Sequence, residues 1–127
     1  MDLQTYFEKT KGFGVLSTAD SEGNVDSAVY ARPHVLDDGT FALIMRDRLS
    51  HHNLQSNPKA AYLFVEEGPG YKGKRFFMTK VGEEEDQEKI HSFRRRSHKD
   101  SETDSSEAKF LVYFRIDKEF PLIGSGV

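Results

Sequence analysis

Three guanidinium groups and one hydroxyl define the chemistry this chain could do. Arg32 lies in its second apolar stretch, Arg46 and Arg48 follow the third, and Ser50 comes two residues later. Ser50 reads as the start of a short helix. The first N–H groups of a helix have no partner inside it, and its dipole puts partial positive charge at that end. A guanidinium grips a phosphate through paired, charge-assisted bonds. Arg46-Asp47-Arg48-Leu49-Ser50, with Arg32 nearby, therefore points to a site for a phosphate-bearing ligand. The residues leave one alternative open: solvated loop arginines, with Ser50 acting only as a helix cap.

Other constellations carry less. His51 and His52 are adjacent, and neighbours on a helix diverge by ~100°, so they share a metal ion poorly. His34 could be a third ligand, but no carboxylate spacing supports it, and no metal is expected. Gly68-Pro69-Gly70-Tyr71-Lys72-Gly73-Lys74-Arg75 has the glycines of a phosphate loop. Neither a Ser/Thr after the lysine nor a following helix accompanies them, so it is not a Walker loop. It reads as a connection between strands, or as a loop that reaches a ligand with the flat face of Tyr71. The cluster Arg94-Arg95-Arg96-Ser97-His98-Lys99 reads as a helix end matched to its dipole. No Ser-His-Asp arrangement stands out.

The elements that must position these groups follow from periodicity. Asp2 caps a short helix that carries Leu3, Tyr6 and Phe7 on one face. Strands are expected over Phe13 to Ala19, Val25 to Val35, Thr40 to Arg46, Lys59 to Glu66, Lys74 to Val81 and Lys109 to Asp117. On the second strand Asp26, Ala28, Tyr30 and Arg32 share a face. Pro33 removes a ladder donor and marks a bulge, an edge or an end. Asp37-Asp38-Gly39 is a hairpin turn. Helices are expected over Ser50 to Ser56, stopped by Asn57-Pro58, and over Glu83 to Arg96. Ser97 to Glu107 is polar and mobile, and Phe120 to Ile123 forms a separate terminal segment. Strands joined by such short turns cannot make parallel crossovers. The expected class is mostly β: a six-stranded antiparallel Greek-key split barrel with short flanking helices, in one domain over 1–127.

Composition bounds the function. The chain has 127 residues, 31% of them charged and 36% hydrophobic, with a formal net charge of −3. Its longest apolar run, Ala60 to Val65, is far short of the ~20 residues of a membrane span. No basic excess exists to hold a nucleic acid. With no cysteine, thiol chemistry and disulfides are excluded. The start, Asp2-Leu3-Gln4-Thr5-Tyr6, has no leader character, so a cytoplasmic protein is the expectation. Modest apolar content in a small domain favours a homodimer.

These residues resemble the pyridoxamine 5′-phosphate oxidase-like, FMN-binding split-barrel family. The likeness covers roughly Phe7 to Ile116. It rests on Ala31-Arg32-Pro33-His34 in the second strand, on the third strand running into a Ser-bearing loop and short helix, and on Asn53-Leu54, Asn57-Pro58 and the strand that follows. The resemblance implies a homodimer with FMN in clefts at the subunit interface. It implies that Arg32, Pro33 and His34 line the isoalloxazine and ribityl chain, and that Met45 and Arg46 contact the cofactor at the third strand's end. Arg48, Leu49, Ser50 and His51 would surround the phosphate, with Asn53 on the same helix. Many family members place a lysine in this stretch; here there is none between Arg46 and Asn53, so Arg48 or His51 takes that role. The C-terminal end lacks the basic residues that longer pyridoxamine phosphate oxidases add. The implied function is a small oxidoreductase that passes electrons or hydride through FMN to a small-molecule substrate. A non-catalytic flavin-binding module of the same fold is the alternative, and a protein- or RNA-binding barrel is a weaker one.

Overall fold

The computed structural model describes residues 2–93 and 109–124. The basic cluster at 94–99 and the polar stretch at 97–107 lie outside the described residues. Helix α1 (Leu3–Lys9) opens as expected, with the Asp2 carboxylate accepting from the Thr5 N–H at 2.8 Å. Then follow β1 (Gly12–Ala19), β2 (Val25–Tyr30), β3 (His34–Val35), β4 (Phe41–Arg46), α2 (Leu49–Ser56), β5 (Lys59–Glu66), β6 (Gly73–Glu84), α3 (Gln87–Phe93) and β7 (Lys109–Pro121).

All strand pairings are antiparallel, in one seven-stranded sheet of order β2-β1-β5-β6-β7-β4-β3. Its two edges, β2 and β3, are consecutive in the chain and separated only by Ala31-Arg32-Pro33. Seven flat strands at ~4.8 Å spacing would hold the edges ~29 Å apart. Tyr30 to His34 is four residue steps, at most ~14 Å. The sheet must therefore curl until its edges face each other, and it stays open along the seam between them. The result is a split barrel.

The expected second strand is thus two strands, which makes seven rather than six. The cause is local: Pro33 has no N–H to donate, and residues 31–33 leave the ladder. A second difference lies in the acidic run after β6. Glu83 and Glu84 pair with Val112 and Leu111 and extend β6. Helix α3 begins only at Gln87, with the Asp86 carboxylate accepting from the N–H groups of Glu88 and Lys89. Ladder partners outweigh the dipole preference of acidic residues for a helix start. Strand β7 also absorbs Phe120 and Pro121, which the sequence placed in a separate segment.

The core follows from period-two alternation. Phe41, Leu43 and Met45 of β4 face inward with Tyr62, Phe64, Phe76, Met78, Val112 and Phe114. Helix α1 plugs this interior with Phe7, which is fully buried, its ring centroid 5.1 Å from Phe64 and 5.5 Å from Phe41. The opposite face of β4 and β7, with Ala42 and Leu111, is covered by Ile90 of α3. Gly14 is a close-approach position: a Cβ there would run into the Tyr62 ring. That approach lets the Tyr62 hydroxyl donate to the Ala31 carbonyl at 3.0 Å, which ties β5 to the seam linker.

The plug residue gives a first test. Phe7→Ala removes a buried aromatic that bridges both halves of the core. It should lower unfolding free energy by about 3–5 kcal/mol, read from the midpoint and slope of urea denaturation.

Candidate functional site

A cleft of about 370 Å³ runs along the seam, between the half-buried face of β2 and the β4–α2 junction. From β2 it is lined by Asp26, Ala28 and Tyr30; from β4 and the start of α2 by Arg46, Arg48, Leu49 and Ser50; and from β7 by Lys109. Arg32 and His34, on either side of Pro33, also reach it. Arg32, Arg46, Arg48 and Ser50 thus line one cleft, although they come from two separate stretches of chain.

Helix α2 begins one residue earlier than expected. Arg48 is its N-cap, and its side chain makes no capping bond. Ser50 is therefore in the first turn rather than at the cap, and its hydroxyl donates to the Asp26 carboxylate at 3.3 Å. The Tyr30 phenol shares this neighbourhood. Burial pushes its pKa up, the Ser50 hydroxyl bonded to it pulls down, the Asp26 carboxylate pushes up, and the charges of Arg46 and Arg48 pull down. Tyr30 stays a neutral phenol inside a cationic wall.

Arg32 has a structural duty as well. One Nη donates to the carbonyls of Phe7 at 2.8 Å and Thr10 at 3.1 Å. These are carbonyls of the C-terminal turn of α1, where a cation is favourable. Arg32 so pins the plug helix to the seam and also lines a second, more open cleft with Phe13, Val65 and Tyr71. The His34 ring stacks on Phe93 of α3, with centroids 4.8 Å apart and planes at 16°.

Four expected site residues do not line the cleft. Met45 is fully buried in the inner core, because β4 alternation turns it away from Arg46. Pro33 is buried within the linker. Asn53 is buried and donates from Nδ2 to the Thr18 hydroxyl at 3.0 Å, fastening α2 to β1. His51 is buried on the inner side of α2, with Nδ1 at 3.0 Å from Asp47 and Nε2 at 3.1 Å from Glu83. Its ring stacks on Phe110 at 4.0 Å. His51 and Asn53 place the helix, and none of the four walls the cleft. Conversely, the sequence reading did not single out Asp26, Tyr30 or Lys109. Two of these were legible as sharing one face of the second strand with Arg32; Lys109 needed the strand pairing. Among the described residues, no group of three His, Cys, Asp or Glu side chains is placed to hold a metal.

Glu83 anchors the far side of α2. Partial burial pushes its carboxyl upward, but the Lys80 ammonium at 2.7 Å, the His51 ring and the Gln55 amide override this and hold it at about 2, below its ordinary 4.5. The folded state thus favours the carboxylate. Its contribution to stability is complete above about pH 4.5 and is lost as pH falls toward 2. Glu83→Gln should be less stable than the wild type near neutral pH, and that gap should close between those two values. Thermal unfolding midpoints of both proteins across this range measure it.

The chain matches no protein-family model and no curated relative at significant similarity. Solved structures do match over nearly its whole length. An FMN-binding protein from Syntrophomonas wolfei superposes with a TM-score of 0.74 at 20% identity, covering 97% of this chain and 85% of that one. A proposed pyridoxamine 5′-phosphate oxidase from Lactobacillus delbrueckii gives 0.68 at 19% identity, covering 94% and 92%. An F420 reductase gives 0.69 at 12% identity, covering 94% and 98%. At such identities the likeness speaks to architecture. Together with the seam between β2 and β3, it identifies the fold of this chain as the pyridoxamine 5′-phosphate oxidase-like split barrel.

Proposed function

We propose that this protein binds FMN in the seam cleft and uses it to pass electrons or hydride between a reductant and a small acceptor. The observation that carries this reading is the meeting of Arg46, Arg48, Ser50 and the opening turn of α2 at one end of the cleft. That is a donor set for a phosphate monoester. The cleft volume falls within the ~300–1,000 Å³ of small-molecule sites. Among the described residues of the lining, Asp26 supplies the carboxylate, and the Ser50 hydroxyl already bonds it. The residues present therefore fit the group.

Bound FMN would supply the redox chemistry. The chain's own residues bind and orient. Arg48, Ser50 and the first N–H groups of α2 would hold the phosphate, and Arg46 would complete the charge. Arg32, Tyr30 and His34 would lie along the ring and ribityl chain, with Tyr30 and His34 offering N–H or O–H donors. The stacking of His34 on Phe93 limits how that ring can turn.

The homodimer belongs to the same proposal. The outer face of β2, β1 and β5 is apolar in register: Val29 sits opposite Val15, which sits opposite Leu63, and Phe13 is opposite Val65. Val25 and Val29 are each 74% exposed and Phe13 is 53% exposed. Val29 is also on the rim of the cleft. A second copy on this face would bury the patch and complete the wall of the site.

Protein purified without added cofactor, or mixed with FMN, should show flavin absorbance and quench flavin fluorescence stoichiometrically. Failure to bind FMN at all would overturn the reading. Arg48→Ala should weaken binding by roughly 10- to 100-fold, the loss of one charge-assisted bond of ~1.5–3 kcal/mol. Steady-state reduction by NADH or NADPH separates an oxidoreductase from a flavin-storing or flavin-sensing module, which would bind without turnover. Sedimentation equilibrium should give a dimer for the wild type and a monomer for Val29→Glu.

A further inference from the structure

Two ladder partners both reach helix α2. Thr18 of β1 stands opposite Asp26 of β2, so their side chains project to the same face of the sheet. Facing them are Asn53 and Ser50, three positions apart and so on one side of the helix. The Asn53 amide donates to the Thr18 hydroxyl at 3.0 Å, and both residues are buried. The Ser50 hydroxyl donates to the Asp26 carboxylate at 3.3 Å, on the wall of the cleft. These two rungs differ in kind. The first is sealed inside the protein. The second opens onto the cleft and is long, since O–H···O bonds run ~2.5–3.0 Å and those to a carboxylate are shorter still. A hydroxyl has one proton to give. Ser50, itself buried, gives it to an anion of the protein's own, beside the first turn of a helix that has no side-chain cap. A phosphate bound here needs that same proton and cannot share it with Asp26.

We propose that Asp26 is a built-in stand-in for the ligand's phosphate: it holds the Ser50 hydroxyl until a phosphate takes it, and so sets how strongly the cleft prefers a phosphorylated ligand. Releasing Asp26, with its negative charge left near another, is a cost that falls on FMN. It does not fall on riboflavin, which has the same ring and ribityl chain without the phosphate. The assignment rests on the flavin reading for the identity of the ligand. It carries a signature that a merely structural carboxylate would not show. Neutralising Asp26 should lower the stability of the protein without ligand and, at the same time, raise its affinity for the phosphorylated ligand. Loss of a structural residue would lower both.

The test compares the wild type with Asp26→Asn and, as a control for net charge, Glu22→Gln at an exposed turn position. FMN and riboflavin are titrated by fluorescence quenching. Thermal unfolding is followed in sodium chloride and in inorganic phosphate at matched ionic strength. Asp26→Asn should bind FMN about tenfold more tightly and riboflavin within about twofold of the wild type. Its midpoint in sodium chloride should fall, and inorganic phosphate should raise that midpoint more than it raises the wild type's. Glu22→Gln should match the wild type throughout. Should the Asn variant not fold, Asp26→Ser keeps a small polar group at this edge-strand position and takes its place. FMN affinity that is unchanged or lower in the neutral variant, a rise shared equally by riboflavin, or a sodium chloride midpoint that does not fall overturns the assignment. Binding of neither flavin, with the larger phosphate response still found in the neutral variant, overturns the flavin reading and leaves Asp26 as the carboxylate that a phosphate displaces. Equal phosphate responses without flavin binding overturn both.

Discussion

Three residues join the two edges of a seven-stranded sheet, and most of the molecule follows from that constraint. Because Ala31-Arg32-Pro33 spans so little distance, the sheet cannot lie flat. Its curvature encloses an aromatic interior, which Phe7 of α1 fills from one side. It also leaves a seam where β2 and β3 come near each other without pairing. The linker does more than span. Arg32 reaches back to carbonyls of α1, and the Ala31 carbonyl receives the Tyr62 hydroxyl. Plug, barrel wall and opening are thereby fixed to one another through three consecutive residues.

At that seam, two sets of residues divide the labour. One set walls the cleft: Arg46, Arg48, Ser50, Tyr30 and Lys109. The other stands behind it and holds α2 in place, through His51 between two carboxylates and Asn53 on Thr18. A cleft wall that includes the start of a helix is only as well placed as that helix. α2 has no side-chain cap of its own. Its position comes from the buried contacts on its inner side, so residues with no access to the cleft still govern its geometry.

This division explains what could be read from the chain. The strands expected over Thr40 to Arg46 and Lys59 to Glu66 match β4 and β5 to within a residue, and Asp37-Asp38-Gly39 gave the turn between β3 and β4. Arg46, Arg48 and Ser50 were legible as a group because of their types and short spacing, and the structure brings all three to one cleft. His51 and Asn53 were legible as important but not as inward-facing, because the exposure of a polar side chain on a short helix depends on what packs behind it. Met45 fell on the wrong side of one alternation step. Glu83 and Glu84 read as a helix start, and only their ladder partners on β7 make them strand. Lys109 lay beyond any local pattern: only the pairing of β7 with β4 sets it opposite Arg46 and brings it to the cleft.

The approach of Gly14 to Tyr62 has a consequence for how such a chain can drift. Any side chain at position 14 needs the space of the Tyr62 ring, and the Tyr62 hydroxyl is what tethers the Ala31 carbonyl. Neither site can change freely while the other stays as it is. A smaller residue at 62 would make room for alanine at 14, but would release the tether in the same step. The pair should therefore substitute together or not at all across descendants of this sequence. A lineage that has lost both would be expected to hold its linker by some other bond.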